Sequence, residues 1–321
     1  FKNLHYPIIS MNILVLTPEY YPEGILSELN QLGTVESKKL SREELMEVIE
    51  KYDVVLTRIG IGFDKEVLDK AGNLKVLATA TTGTDHIDIE YAKSKGIEVI
   101  SAPGVNAVAT AEHTFGLILS LIRKIPWGFD SIKNFEFRRS EFLGNELNGK
   151  TIGIIGFGKI GNQVGRYAKA FGMDILTYDP YINKNLADEI GAKIVSLDEL
   201  LENSDVITLH AFASPENENM ISYEQFSKMK NTTFLINVAR GSLVDEDALL
   251  DALKNRKIQG TAIDVMKEEP PTENNKLIEY ARSNNNLIIT PHLGGSTEEA
   301  VYNAATYVVK KVKEFFSSRM Q

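Results

Sequence analysis

The chain has 321 residues, 43% of them hydrophobic and 25% charged, the composition of a globular protein long enough for two domains. It contains no cysteine, which excludes disulfides, thiolate nucleophiles and Cys-ligated metals, and no metal site is expected. A net charge of −9 argues against nucleic acid or an anionic membrane as partner, and no apolar run reaches the roughly 20 residues that span a bilayer, so a cytoplasmic location is expected.

Residues 1–10, which include His5, lack a basic start and a long apolar run and read as a leader or cloning remnant ahead of Met11. From there short apolar runs alternate with helical stretches. Residues 12–17, 53–57, 75–80 and 97–101 are rich in Val, Ile and Leu with little polar alternation, the pattern of buried parallel strands. Helices are expected between them at 23–32, 41–51, 65–71 and 89–95, giving right-handed βαβ units. The helix expected at 108–125 is apolar on more than one face, so it is expected to lie between domains or against another subunit. Residues 126–148 read as irregular and contain the single tryptophan, Trp127. A second series of strands follows at 151–155, 174–178, 193–195, 205–210, 233–238, 260–265 and 287–290, and a helix at 297–316 closes the chain.

Gly156, Phe157, Gly158, Lys159, Ile160 and Gly161 match G-x-G-x-x-G, between the strand 151–155 and a helix at 159–171. In that setting Gly156 permits the turn, Gly158 lets backbone approach a pyrophosphate, and Gly161 lets helix and strand pack closely. The helix start then presents free N–H groups and a positive dipole end to the phosphates. Asp179 lies 18 residues beyond Gly161 at the end of the next strand. An acid there accepts from ribose hydroxyls and repels a 2′-phosphate, which favours NAD over NADP.

Hydride exchange at an alcohol carbon requires a proton carrier and, for an acid substrate, a carboxylate anchor. Of the remaining histidines, His86 and His113 have no evident partner, and His210 closes an apolar strand where ring or backbone can meet a cofactor. His292 follows the strand 287–290 at its C-terminal end and precedes Leu293 and the glycines Gly294 and Gly295; glycines beside a histidine allow a ligand to approach closely. Arg240 lies two residues past the strand 233–238, in the segment NVARG, and a guanidinium grips a carboxylate through two parallel hydrogen bonds. Glu269, paired with His292, would fix its tautomer and raise its pKa.

Arg240 in NVARG, Glu269 in DVMKEEP, His292 in PHLGGST, the GFGKIG turn with Asp179, and the stretch 78–113 together resemble the D-isomer-specific 2-hydroxyacid dehydrogenase family, in order, from Met11 onward. The resemblance implies two doubly wound α/β domains. A Rossmann NAD-binding domain at 107–292 would be inserted in a flavodoxin-like substrate domain made of 11–106 and 293–321, with the active cleft at the seam. It implies hydride exchange between NAD and C2 of a small D-2-hydroxy or 2-oxo acid, with 3-phosphoglycerate, glycerate/hydroxypyruvate and lactate-like acids all open. Under it His292 is the acid/base, Glu269 its partner, and Arg240 the carboxylate anchor. Asp264 lies near the nicotinamide amide; Thr110, His210, Val238 and Ala239 contact cofactor; Thr82 and Gly83 offer backbone donors to substrate, and Arg58 is a further substrate candidate.

The chain departs from the family pattern at Phe212, where a proline is common, and at Asn217, which stands for a threonine. Its end after one helix leads to the expectation that the regulatory extension of some phosphoglycerate dehydrogenases is missing. A homodimer through the 108–125 helix is expected. Two other readings stay open: an NAD-sensing interaction protein resembling a corepressor, and a Rossmann enzyme acting on alcohols without a carboxylate.

Overall fold

The computed structural model describes residues 10–319; residues 1–9, with His5 and most of the expected leader, lie outside the described residues. The chain divides into two compact units, one of Phe1–Asn106 with Ser296–Gln321 and one of Ala107–Gly295.

In the first unit the order is β1 (Met11–Val15), α1 (Glu23–Leu29), β2 (Gly33–Ser37), α2 (Arg42–Val48), β3 (Val54–Thr57), α3 (Lys65–Lys70), β4 (Val76–Thr79), α4 (Ile89–Ser94) and β5 (Glu98–Ile100). The strands form one parallel sheet in the order β2-β1-β3-β4-β5, the flavodoxin-like arrangement. Every residue of β3 and β4 is buried, as apolar runs covered on both faces should be. Helix starts are set by polar caps. Ser41 and Glu44 form a reciprocal capping box on α2, and the Asp64 and Asp88 side chains accept from Val67 N and Tyr91 N to start α3 and α4.

The second unit begins with α5 (Ala107–Ile122) and α6 (Ile125–Lys133) and continues through β6 (Thr151–Ile155), α7 (Lys159–Ala170), β7 (Asp174–Tyr178), α8 (Lys184–Ile190), β8 (Lys193–Ile194) and α9 (Leu197–Asn203). It is completed by β9 (Val206–Leu209), α10 (Tyr223–Lys228), β10 (Phe234–Asn237), α11 (Glu246–Lys254), β11 (Gly260–Ile263), α12 (Lys276–Ala281) and β12 (Leu287–Ile289). Its parallel sheet runs β12-β11-β10-β9-β6-β7-β8. The order reverses beside β6, so a crevice opens at the carboxyl ends of β6 and β9. The last helix, α13 (Glu298–Ser317), returns to the first unit and buries Ala304, Ala305, Val308, Val309 and Val312 in a core shared with β1, β3 and β4. Among the described residues no helix is long and apolar enough to cross a membrane.

Three expectations change. The polar segment 33–37 is a strand at the sheet edge. Residues expected to be irregular include α6, which has a proline in its first turn, where the missing N–H has no helical partner to lose. The apolar faces of α5 are consumed inside its own unit, where Phe115, Ile118, Leu121 and Ile122 pack into the core over α7, β10 and β11. Each such side chain contributes about 1.5–3 kcal/mol, so the apolarity of α5 is explained without a second subunit.

Candidate active site

The glycine turn leaves β6 at Gly156, whose φ is 89°, a left-handed conformation that side chains disfavour. A Cβ there would also lie 2.6 Å from Ala211 N on the neighbouring β9 segment. Gly158 has open space on its Cβ side and forms the N-cap of α7 without any side-chain cap, so the first N–H groups, from Lys159 and Ile160 onward, start an uncapped helix. Gly161 packs against the Gly156 carbonyl. Asp179, just past β7, accepts from Phe157 N at 2.7 Å and Tyr181 N at 2.8 Å. It thus ties the glycine turn to β7. A carboxylate has about four acceptor positions, so capacity remains for hydroxyl donors.

Two buried polar atoms of this unit have no hydrogen-bond partner among the described residues: His210 Nδ1, just after β9 and beside the turn, and Thr110 Oγ1 on α5, beside Gly294. Burial pushes the His210 imidazole down to about 3, so the ring is neutral. Its Nε2 sits 2.9 Å from Thr208 Oγ1. Buried polar groups are rarely left unpaired, and these fit a polar ligand passing over the turn. An uncapped helix start, an approachable glycine, an acid at the next strand end and two orphaned donor/acceptor atoms together suit a dinucleotide.

The titratable groups lie at the carboxyl ends of β10, β11 and β12. Arg240 follows β10 by way of the buried Val238 and Ala239. Asn237 shapes that turn: its Oδ1 accepts from Ala239 N at 3.0 Å and its Nδ2 donates to the Arg240 carbonyl at 2.9 Å. A Cβ on Gly241 would lie 2.0 Å from the Met266 carbonyl carbon, so only glycine lets the Arg240 turn sit against the segment leading to Glu269. Arg240 Nη1 donates to the Ala239 carbonyl at 2.7 Å.

Glu269 Oε1 accepts from Met266 N at 2.8 Å, and Oε2 lies 2.7 Å from His292 Nδ1. The hydrogen bond to Glu269 raises the His292 pKa against the opposing effects of burial and the Arg240 charge. Burial pushes Glu269 the other way, upward, but the His292 and Met266 donors outweigh it and hold the carboxyl below its ordinary value. Nδ1–H faces a carboxylate that can only accept, so Nε2 carries the exchangeable proton. His292 has φ 55°, and its N–H donates to the Asp264 carbonyl at 2.9 Å.

Asp264 is 1% exposed, and its carboxylate accepts from Leu293 N, Gly294 N, Thr290 Oγ1 and His113 Nε2 at 2.5–3.0 Å. Burial opposes its ionisation, and these donors reverse the balance and keep its pKa low. Thr110 borders Gly294, with Oγ1 3.7 Å from where a Cβ would stand. Sequence reasoning missed Asn237, Thr290 and the His113 contact. The signal for His113 was its i,i+3 spacing from Thr110 on one helix face.

The substrate candidates Arg58, Thr82 and Gly83 belong to the first unit. The Arg58 guanidinium stacks 4.3 Å from the Tyr20 ring centre. Thr82 Oγ1 lies 3.0 Å from the Ala102 carbonyl and 2.7 Å from Asn106 Oδ1, sharing its one hydrogen between them. The Gly83 carbonyl accepts from Thr81 Oγ1 at 2.6 Å. His86, which has no partner evident in the sequence, lies 3.2 Å from Thr79 Oγ1, and that hydroxyl lies 2.8 Å from Thr81 Oγ1. At the departures from the family pattern, Phe212 is exposed, and Asn217 clamps the loop by accepting from Ser214 N at 2.7 Å and donating to the Phe212 carbonyl at 2.6 Å.

A seven-stranded parallel sheet with this glycine turn at its reversal point, and an Arg, Glu and His at neighbouring strand ends, defines a dinucleotide-binding α/β protein. Residues 115–294 match the family described as D-isomer specific 2-hydroxyacid dehydrogenase, NAD binding domain. The chain is 44% identical over 95% of its length to a D-3-phosphoglycerate dehydrogenase of Methanocaldococcus jannaschii and 40% identical over 93% to one of Archaeoglobus fulgidus. It spans 57% and 56% of those two proteins' own lengths. A D-lactate dehydrogenase of Aquifex aeolicus, solved with NAD and lactic acid, superposes with a TM-score of 0.84 at 34% identity, covering 96% of each chain. The chain belongs to the D-isomer specific 2-hydroxyacid dehydrogenase family, and the cofactor of its second unit is NAD.

Proposed function

We propose that the chain is an NAD-dependent dehydrogenase that interconverts a small D-2-hydroxy acid and its 2-oxo acid. The observation that carries this reading is the 2.7 Å His292–Glu269 pair at the carboxyl ends of the strands, beside the turn that bears Arg240. NAD supplies the hydride acceptor or donor for C2. Protein groups then do the rest. Arg240 holds the substrate carboxylate and draws charge from the carbonyl oxygen. His292 delivers a proton from Nε2 to that oxygen during reduction and removes it during oxidation, while Glu269 holds Nδ1–H and stabilises the imidazolium. Asp264 and Thr110 border the nicotinamide end, His210, Val238 and Ala239 line the cofactor's path, and Asp179 receives the ribose. The first unit is the substrate domain, with Thr82, Gly83 and Arg58 as its contacts. The names of the two relatives make 3-phosphoglycerate the first substrate to try, ahead of glycerate or lactate-like acids. A cytoplasmic location is part of the same proposal.

An NADH-oxidation screen across 2-oxo acids, with and without phosphate, tests it alongside Arg240→Lys. A lysine cannot reproduce the bidentate grip, so kcat/KM should drop about 100-fold or more while NADH affinity stays constant. Binding of NADH with no turnover on any 2-oxo acid would instead indicate a sensor, and unchanged kcat/KM in Arg240→Lys would remove the anchor assignment.

We infer further that the protein is a homodimer formed around residues 108–125 through their exposed ends, Val108 and Ile125, and the adjoining α6, the buried faces of α5 taking no part. Supporting this are Ile125, Phe129, Ile132, Phe135, Phe137 and Leu143, all exposed on the second unit. Light scattering that returned a monomer mass at micromolar concentration would refute it.

A further inference from the structure

His292 stands in a left-handed conformation at φ 55°, which a side chain adopts at a cost of about 1–2 kcal/mol. What holds it there is Asp264. The Asp264 carbonyl accepts from His292 N at 2.9 Å, its Oδ1 from Leu293 N at 2.8 Å, and its Oδ2 from Gly294 N at 2.8 Å. Three consecutive N–H groups therefore converge on one buried residue. A buried carboxylate is itself expensive unless donors surround it. Two side chains supply them at Oδ1: Thr290 Oγ1 at 2.5 Å and His113 Nε2 at 3.0 Å. His113 comes from α5, 151 residues away in sequence. The carboxylate can only accept, so the His113 hydrogen sits on Nε2.

We propose that His113 is a positioning residue for the reaction: its Nε2–H fixes Asp264, Asp264 fixes the 290–294 turn, and the turn sets the His292–Glu269 contact. This rests on His292 being the acid/base. With the donor removed, the turn relaxes from its left-handed conformation and Nδ1 moves off Glu269. The groups that bear on the His292 charge are Glu269 and Asp264, which favour the imidazolium, and Arg240, which opposes it.

His113→Phe keeps the ring volume and deletes the donor, while His113→Gln keeps an N–H at similar reach. The His292 ring is titrated by NMR in the ligand-free protein, and kcat, KM and melting temperature are recorded. In His113→Phe the His292 midpoint should fall toward the ordinary imidazole value, and kcat for 2-oxo acid reduction should drop on the order of 10-fold, with KM for NADH within about twofold. His113→Gln should restore both. Thr290→Val, which removes the second donor, should move the titration the same way and serves if His113→Phe does not fold. An unmoved His292 titration in a folded variant, or a Gln variant no better than Phe, overturns the proposal, because a purely structural pillar alters melting and not titration. A shifted titration in a protein that reduces no 2-oxo acid supports the positioning and counts against the dehydrogenase reading alone.

Discussion

The His292–Glu269 pair ties a geometric fact to a pH dependence whose sign can be worked out. The hydrogen bond to Glu269 raises the imidazole pKa, so the imidazolium persists to higher pH than in an isolated histidine. Under the proposed function, reduction of a 2-oxo acid draws on that proton, and its rate should fall as pH rises through the raised value. Oxidation of the hydroxy acid needs the neutral ring and should rise over the same span. Glu269→Gln removes the charge and keeps the shape. The alkaline limb of kcat/KM for reduction should then move to lower pH, with a loss of about 10-fold or more at neutral pH. A pH–rate profile of the variant that overlays the wild type would show that Glu269 does not govern the proton. The pair's stability effect is smaller: it is present below the ordinary imidazole pKa and lost as pH rises through the raised one. With the side chains 41% and 33% exposed, screening leaves about 0.2–1 kcal/mol.

At the level of elements, the sequence is readable where burial is two-sided and opaque where it is one-sided or short. β3, β4, β9, β10 and β11 are buried along their whole lengths, and their apolar runs declare it. β2 is an edge strand paired only to β1, with Thr34 and Ser37 exposed and Gly33, Val35 and Glu36 half-buried, so no apolar run marks it. Helices α8 to α12 have 6–9 residues, too few turns for a clear period. Their starts are nonetheless written in single residues: the side chains of Asn183, Ser196, Asp245 and Asn275 accept from the first turn. For α5 the apolar circumference correctly implies burial but cannot name the partner, and the partner is its own sheet. Likewise the strand-end position of Arg240 and His292 is legible because ligand sites gather there. The Asp264 cage is not, because it joins residues 113, 264 and 290 through contacts that no local pattern encodes.

At the scale of the whole molecule, the two units carry separate cores. β1, β3, β4 and α13 share one in the first unit, and α5, α7 and strands β6, β7, β9, β10 and β11 share one in the second. The expected cofactor contacts all fall in the second unit: the turn at Gly156, Asp179, His210, the residues before Arg240, and Asp264 with Gly294. A ligand that binds the native state alone stabilises it by about 2.7 kcal/mol at 100 times its Kd, which slows exchange of amides that open with the bound region by about 100-fold. Hydrogen exchange with saturating NADH should therefore protect peptides covering 156–161, 208–212, 237–241 and 290–295, together with the first turns of α5 around Thr110. The central strands β1 and β3 exchange only on opening of the first unit and should change less. Thr110 and His210 make the test sharp. Their buried atoms have no hydrogen-bond partner among the described residues, so a ligand that passes them has two polar groups to engage. Protection that spared 156–161 while appearing on the strands of the first unit would remove the dinucleotide from the second unit and, with it, the acid/base assignment built beside it.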